Sequence, residues 1–196
     1  MFPKKKRVAG LAFVVLCLIF FFAVWNSIIS AKEDVELKKS QVEVALQRQY
    51  ELLPNFVMAV KAYTEYEESI FSKIIEANIQ LAKSVESGDV GLMAQADSDL
   101  KSAISSVLEI ASNYPELTSS QQFIALQDEI AGSQNRIAFA RNLYNEAVYA
   151  FNVKITKFPN IIFTNSLVMR FTGIKAFDYF EADDSAKEPL KLYFGE

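Results

Sequence analysis

Histidine is missing from this sequence altogether, and cysteine occurs once. Histidine is the commonest metal ligand and the commonest general base near neutral pH. Its absence, with only one thiol, excludes Cys/His zinc sites, Cys–His catalysis and Ser–His–Asp triads by inventory. Cys17 sits inside an apolar block, so no disulfide forms within the chain, and the thiol says nothing about redox compartment. Six glycines and five prolines in 196 residues leave few natural breakpoints, which favours long uninterrupted helices. A net charge of −4 is too weak to point to nucleic acid. Neither a cofactor nor a metal is expected from these residues, and an enzyme is not the expected class.

What is present is concentrated apolar character. The hydrophobic fraction is 51%, and much of the excess lies near the N-terminus. Lys4, Lys5, Lys6 and Arg7 precede an uncharged run containing Val8, Leu11, Phe13, Leu16, Leu18, Ile19, Phe20, Phe21, Phe22 and Trp25. Val8 to Trp25 is about 18 residues, or roughly 27 Å of helix, close to a ~30 Å hydrocarbon core. Trp25 closes it as an interfacial aromatic would. The basic residues ahead of it predict a cytoplasmic N-terminus, with the rest of the chain across the membrane. A cleaved signal peptide ending near Ala31 is the competing reading, but its apolar core is usually only about 7–15 residues long. Pro3-Lys-Lys-Lys-Arg-Val8 has the form of a nuclear import signal. Beside a spanning run, the same charges are better explained as topology determinants.

From Ala31 onward the pattern is helical. Val35, Val42, Leu46, Leu53, Val57, Val60, Ile70, Ile74 and Leu81 recur at steps of mostly three, four and seven. Pro54 interrupts this row, which resumes in phase, so the spacing predicts one kinked helix to about residue 87. Gly88 suits its C-terminus, and Asp89 suits the cap of the next helix. Leu92 to Ala111 marks that second helix, which should end at Asn113-Tyr-Pro115. Thr118 to Gln121 reads as the cap region of a third, running from Ser120 to Lys157 through Phe123, Ile130, Ile137, Tyr144 and Phe151. After Pro159 the sequence becomes aromatic-rich (Phe163, Phe171, Phe177, Phe180) and irregular. A tail with a short helix, folded back over the helices, is expected there.

Certain polar residues share helical faces close to the apolar stripe. Arg141, Asn145 and Asn152 are spaced by four and seven, and Arg48, Asn55 and Glu67 form a second row. Polar groups near a core stripe need partners or cost about 1–3 kcal/mol each. The expectation is an interhelical network that fixes register, with Arg141 meeting a carboxylate such as Glu67. The rival reading is a ligand or proton site inside the bundle. A hydrolase built on Glu65, Glu67 and Glu68 is a remote third, because charged clusters on helices are usually solvated faces.

Several ordered motifs resemble the LemA family. Leu52-Leu-Pro-Asn-Phe-Val57 with Val60-Lys-Ala-Tyr63 is similar to its "LIPNLV…VKGY", and Asn113-Tyr-Pro-Glu-Leu117 with Phe123 to its "YPDLK…F". Glu129, Asn135-Arg-Ile137, Ala140-Arg141, Tyr144-Asn145, Val148, Asn152 and Phe158-Pro159 follow its "E…NRI..AR..YN..V..YN…FP". Gln49 stands where the family commonly has an arginine after Arg48, and Ala62 stands for a glycine. The resemblance implies a single-span membrane protein carrying an elongated antiparallel helical bundle outside the cytoplasm, and it brings no enzymatic activity.

The expected fold is all-α. An anchor over residues 1–30 continues into a bundle of three long helices over 31–196, with the tail at 159–196. The expected location is the cytoplasmic membrane of the cell, single-pass, with the bilayer and a protein partner or second copy as its associates. A structural or interaction scaffold is the leading function. An envelope sensor that passes a signal through its membrane-linked helix to a separate partner is the alternative.

Overall fold

The computed structural model describes residues 4–62, 68–161 and 174–181, and the side chains of 8–62, 71–161 and 174–181. Among the described residues five helical elements are assigned and no strand occurs. They are α1 (Lys4–Lys61), α2 (Glu68–Ser87), α3 (Val90–Ala111), the short α4 (Pro115–Thr118) and α5 (Gln121–Thr156). The chain divides into two units, Met1–Lys38 with Asn145–Phe177, and Lys39–Tyr144 with Asp178–Glu196.

Helix ends follow local chemistry. Gly88 adopts φ +67°, a left-handed conformation that ends α2 without the steric penalty a side chain would bring. Asp89 then caps α3, its carboxylate accepting from Leu92 N–H at 3.0 Å. Pro115 occupies the first turn of α4, where its missing N–H costs nothing. Ser120 Oγ accepts from Phe123 N–H at 3.2 Å at the start of α5.

In the second unit, α2 runs back along α1. Asn78 Nδ2 donates to Tyr50 O at 3.3 Å, and the Lys39 side chain reaches Gly88, so earlier α1 residues meet later α2 residues. This corrects the expected bundle of three long helices. The stretch read as one kinked helix is two helices, and Pro54 lies inside α1 rather than at the break. The apolar spacing kept its phase because both helices face the same core. The intervening Tyr63–Glu67, outside the described residues, holds no Gly or Pro to signal a stop.

Helix α5 also runs against α1 here. Phe56 and Phe123 stack with centroids 5.8 Å apart, and Val42 and Tyr144 border the same closely packed space. Two seams fill the core at seven-residue steps. On α1 they are Val42, Gln49 and Phe56, with Leu46, Leu53 and Val60 beside them. On α5 they are Phe123, Ile130, Ile137 and Tyr144. A helical bundle results, and each fully buried aliphatic or aromatic side chain adds about 1.5–3 kcal/mol.

In the first unit, α1 carries one segment long and apolar enough to cross a membrane. Its side chains from Val8 to Phe22 are exposed, and burial begins only at Val24, Ile28 and Val35. Val148, Phe151 and Ile155 of α5 are buried in the same unit, as is Ile174. Lys4, Lys5, Lys6 and Arg7 fall in the first turns of α1, with side chains outside the described set.

Candidate functional site

The most heavily bonded polar centre lies in the second unit. Asp97 on α3 is 1% exposed, and its Oδ2 accepts from Lys101 Nζ at 2.7 Å and from Arg141 Nη1 at 3.1 Å. A carboxylate so buried is held by two cations because an unpaired charge there would cost several kcal/mol. The guanidinium has further work. Its Nη2 donates to Glu181 O at 2.9 Å, and its Cζ lies 4.5 Å above the centre of the Phe180 ring. A planar cation can bond in its plane and stack on its face at once, which an ammonium cannot. Tyr144, one helical turn on, donates its hydroxyl to Asp178 O at 2.9 Å. Arg141 and Tyr144 thus hold the irregular 178–181 segment by its backbone, and Phe180 is buried behind it.

In the first unit Asn152 likewise holds irregular chain by its backbone, at Phe177. Its Nδ2 donates to Phe177 O at 2.9 Å and its Oδ1 accepts from Phe177 N–H at 3.0 Å. A side-chain amide matches a peptide group in donor and acceptor, so one residue satisfies both backbone groups of another. Phe177 also packs edge-on to Phe151, with centroids 5.1 Å apart.

The structure therefore brings Arg141 and Asn152 into bonded positions, with Asn145 half-buried between them on α5. Arg48 and Asn55 are exposed on α1. The buried polar residue of that helix is their neighbour Gln49, 0% exposed, with neither amide atom hydrogen-bonded. In the sequence Gln49 stood out only as a departure from the LemA pattern, although it sits seven residues from both Val42 and Phe56 and so on the seam itself. Ser133 Oγ on α5 and Asn78 Oδ1 on α2 are likewise buried without a partner. The carboxylate that meets Arg141 is Asp97, and Glu67 lies outside the described residues together with Glu65. The tail aromatics Phe163 and Phe171 also lie outside them. Of the described tail residues, Asn160 and Ile161 are helical and 174–181 are irregular.

An open groove of about 660 Å³ lies between the end of α1 and the start of α5. Asn55, Met58 and Ala59 line one side, with Leu117, Phe123 and Glu129 among those on the other. Met58 and Ile124 expose apolar surface nearby. Among the described residues no group of three Asp, Glu or Cys side chains is placed to hold a metal ion. The arrangement offers bonded ion pairs and apolar surface, and Asp97, the one deeply buried carboxylate among the described residues, is committed to Lys101 and Arg141.

Similar proteins carry the same segments. Two proteins of Paramagnetospirillum magneticum, magnetosome proteins MamQ 1 and MamQ 2, are each 26% identical over 203 residues, covering 90% of this chain and 73% of theirs. Magnetosome protein MamQ of Magnetospirillum gryphiswaldense is 26% identical over 207 residues, covering 92% and 74%. The LemA family model matches residues 38–194, which take in α2 to α5, the later part of α1 and the tail. By that match, this chain belongs to the LemA family.

Proposed function

We propose that this protein is a non-enzymatic scaffold, held in the cytoplasmic membrane by the first part of α1, with its helical bundle on the outer side. The observation that carries the reading is the contrast along α1. Eleven large apolar side chains from Val8 to Phe22 are exposed, whereas Val42, Leu46, Leu53 and Phe56 on the same helix are fully buried. A soluble core helix would bury both sets. Apolar surface left bare over a whole span length is stable only in lipid. Lys4 to Arg7 ahead of the span favour retention of the N-terminus in the cytoplasm. An uncleaved anchor suits a helix that continues to Lys61.

The scaffold half of the reading rests on long helical faces, on the open groove between α1 and α5, and on an inventory without a free catalytic constellation. The partner is a protein or a second copy of this chain, and the relatives named as magnetosome proteins fit such a role in a membrane-associated assembly. The test is cross-linking of intact cells with a membrane-impermeant lysine reagent, followed by purification through a C-terminal tag. Lys38, Lys73, Lys101 and Lys154 are the expected targets. A defined cross-linked species is the expected result. Reaction only after the membrane is broken would overturn the orientation, and labelled monomer alone would overturn the scaffold role.

A further inference from the structure

The lower end of α5 presents apolar surface where the bilayer should begin. Lys154 Nζ donates to the carbonyl of Ser27 at 3.2 Å, which fixes the two helices in register just beyond Trp25. On α1, burial starts at Val24 and Ile28 and continues to Val35, whereas every large apolar side chain from Val8 to Phe22 is bare. On α5, burial stops at Ile155. The part of α5 before Lys154 therefore covers the part of α1 after Ser27, and the chain beyond Lys154 heads toward the bare span. Phe158 follows four residues after Lys154, in the turn just beyond the end of α5 at Thr156. It is 80% exposed, and Ile161 beside it is 48% exposed. The chain turns there and is held by Asn160 Nδ2 donating to Lys154 O at 2.9 Å and Ile161 N–H to Lys157 O at 3.0 Å. An aromatic left bare in water on an ordered element costs free energy. The same ring beside a span, at interface depth, has a solvent that accepts it. Lys157 is exposed next to it, and a lysine there can keep its ammonium among lipid phosphates while its stem lies along apolar surface.

We propose that Phe158 and Ile161 insert into the headgroup–acyl boundary of the bilayer that holds the α1 span, making the end of α5 a second, shallow membrane contact. This rests on the reading of Val8 to Trp25 as that span. Its occupant is phospholipid, favoured by anionic headgroups through Lys157. The inserted pair would limit how far α5 can lift from the surface, because lifting exposes both side chains to water.

The test uses the full chain in vesicles of phosphatidylcholine and phosphatidylglycerol. Trp25 is the one tryptophan, so Trp25→Phe gives a dark background. Into it go, separately, Phe158→Trp and Phe20→Trp. Each is read with lipids brominated near the headgroup and with lipids brominated near the chain end. The expected result is blue-shifted emission from position 158, quenched more by shallow bromine than by deep. Position 20 should be quenched more by deep bromine. If position 20 is quenched and position 158 is not, the inference is overturned while the span stands. A blue-shifted but unquenched tryptophan at 158 also overturns it, because the ring is then buried against protein. If position 20 escapes quenching, the span reading itself fails and this inference falls with it.

Discussion

Asn78 on α2 donates its side-chain N–H to the carbonyl of Tyr50 on α1, and Tyr50 is the residue whose carbonyl Pro54 leaves without a helical donor. In an unbroken helix the N–H at position 54 would bond to the carbonyl at position 50, and proline has none. A defect in one helix is thereby repaired by a side chain from the next. The repair explains how Pro54 can sit inside α1 without ending it, and it ties the local flaw to the pairing of two helices.

That relationship predicts a coupling. Asn78→Ala should destabilise the chain by about 1–3 kcal/mol, because a part-buried carbonyl loses its replacement donor. In a Pro54→Ala background the loss should shrink, since alanine at that position restores the helical N–H. Chemical denaturation of the detergent-solubilised chain, followed by far-UV circular dichroism, gives the four stabilities of the cycle. Equal costs of Asn78→Ala in both backgrounds would mean the two residues act independently.

Gln49 supplies a prediction of opposite sign. It stands on the buried seam between Val42 and Phe56, with both amide atoms unbonded. Replacing a buried unsatisfied amide by an apolar group of similar size removes a desolvation cost of about 1–3 kcal/mol. Gln49→Leu should therefore raise the denaturation midpoint. A polar group on such a seam can fix register at the expense of stability, so the variant should also show broader, less uniform oligomer populations by analytical ultracentrifugation. A lowered midpoint would show that the amide is satisfied after all.

Much of this fold was legible because its punctuation is chemical and local. Gly88 with Asp89, Ser120 and Pro115 each mark a helix boundary through a backbone requirement that the residue type alone reveals. The seam of α5, Phe123 through Tyr144, was legible from seven-residue spacing. What escaped is tertiary. The return of α2 along α1 was hidden because an apolar row reads the same whether a helix continues or doubles back. Arg48 and Asn55 were read as lying close to the apolar stripe and bonded across helices, but one residue of helix is about 100° of rotation, and it is Gln49 and Phe56 that face inward while Arg48 and Asn55 are exposed. Spacing put Arg141 near a core face and offered Glu67 as its carboxylate, whereas the one it meets, Asp97, lies 44 residues away and reads in isolation as an exposed helical acid. The bonds from Asn152, Tyr144 and Arg141 to the tail end on backbone atoms, which no side-chain pattern records.

The Asp97 centre should respond unequally to its two cations. Arg141→Ala removes a half-buried partner and the stacked contact with Phe180, and should cost about 3 kcal/mol, short of full loss because Lys101 stays bonded. Lys101→Ala removes a more exposed partner within the same helix and should cost under about 1 kcal/mol. Asp97→Leu with Arg141→Leu should recover most of the single-variant loss, because an apolar pair needs no compensating charge. Thermal melts of the three variants decide this, and a larger loss from Lys101→Ala would reverse the assignment of the dominant partner.

The final prediction separates donor from acceptor at Asn152. The side chain faces Phe177 with an N–H toward its carbonyl and an oxygen toward its N–H. Asn152→Asp keeps the acceptor but sets a second oxygen against the Phe177 carbonyl, so one bond is lost and a repulsion replaces it. Asn152→Ala loses both bonds and adds no repulsion. Each hydrogen bond is worth about 0.5–1.5 kcal/mol, so Ala should weaken the hold on this segment by about 1–3 kcal/mol, and Asp should do at least as much harm despite its closer shape. The readout is hydrogen exchange at the Phe177 amide, with limited proteolysis between Ile174 and Glu181 as a second measure. Both should accelerate in both variants while the exchange of α3 amides is unchanged. Unaltered protection in Asn152→Ala would show that the Phe151–Phe177 ring contact alone holds the segment, and that the paired amide bonds follow from its docking rather than cause it.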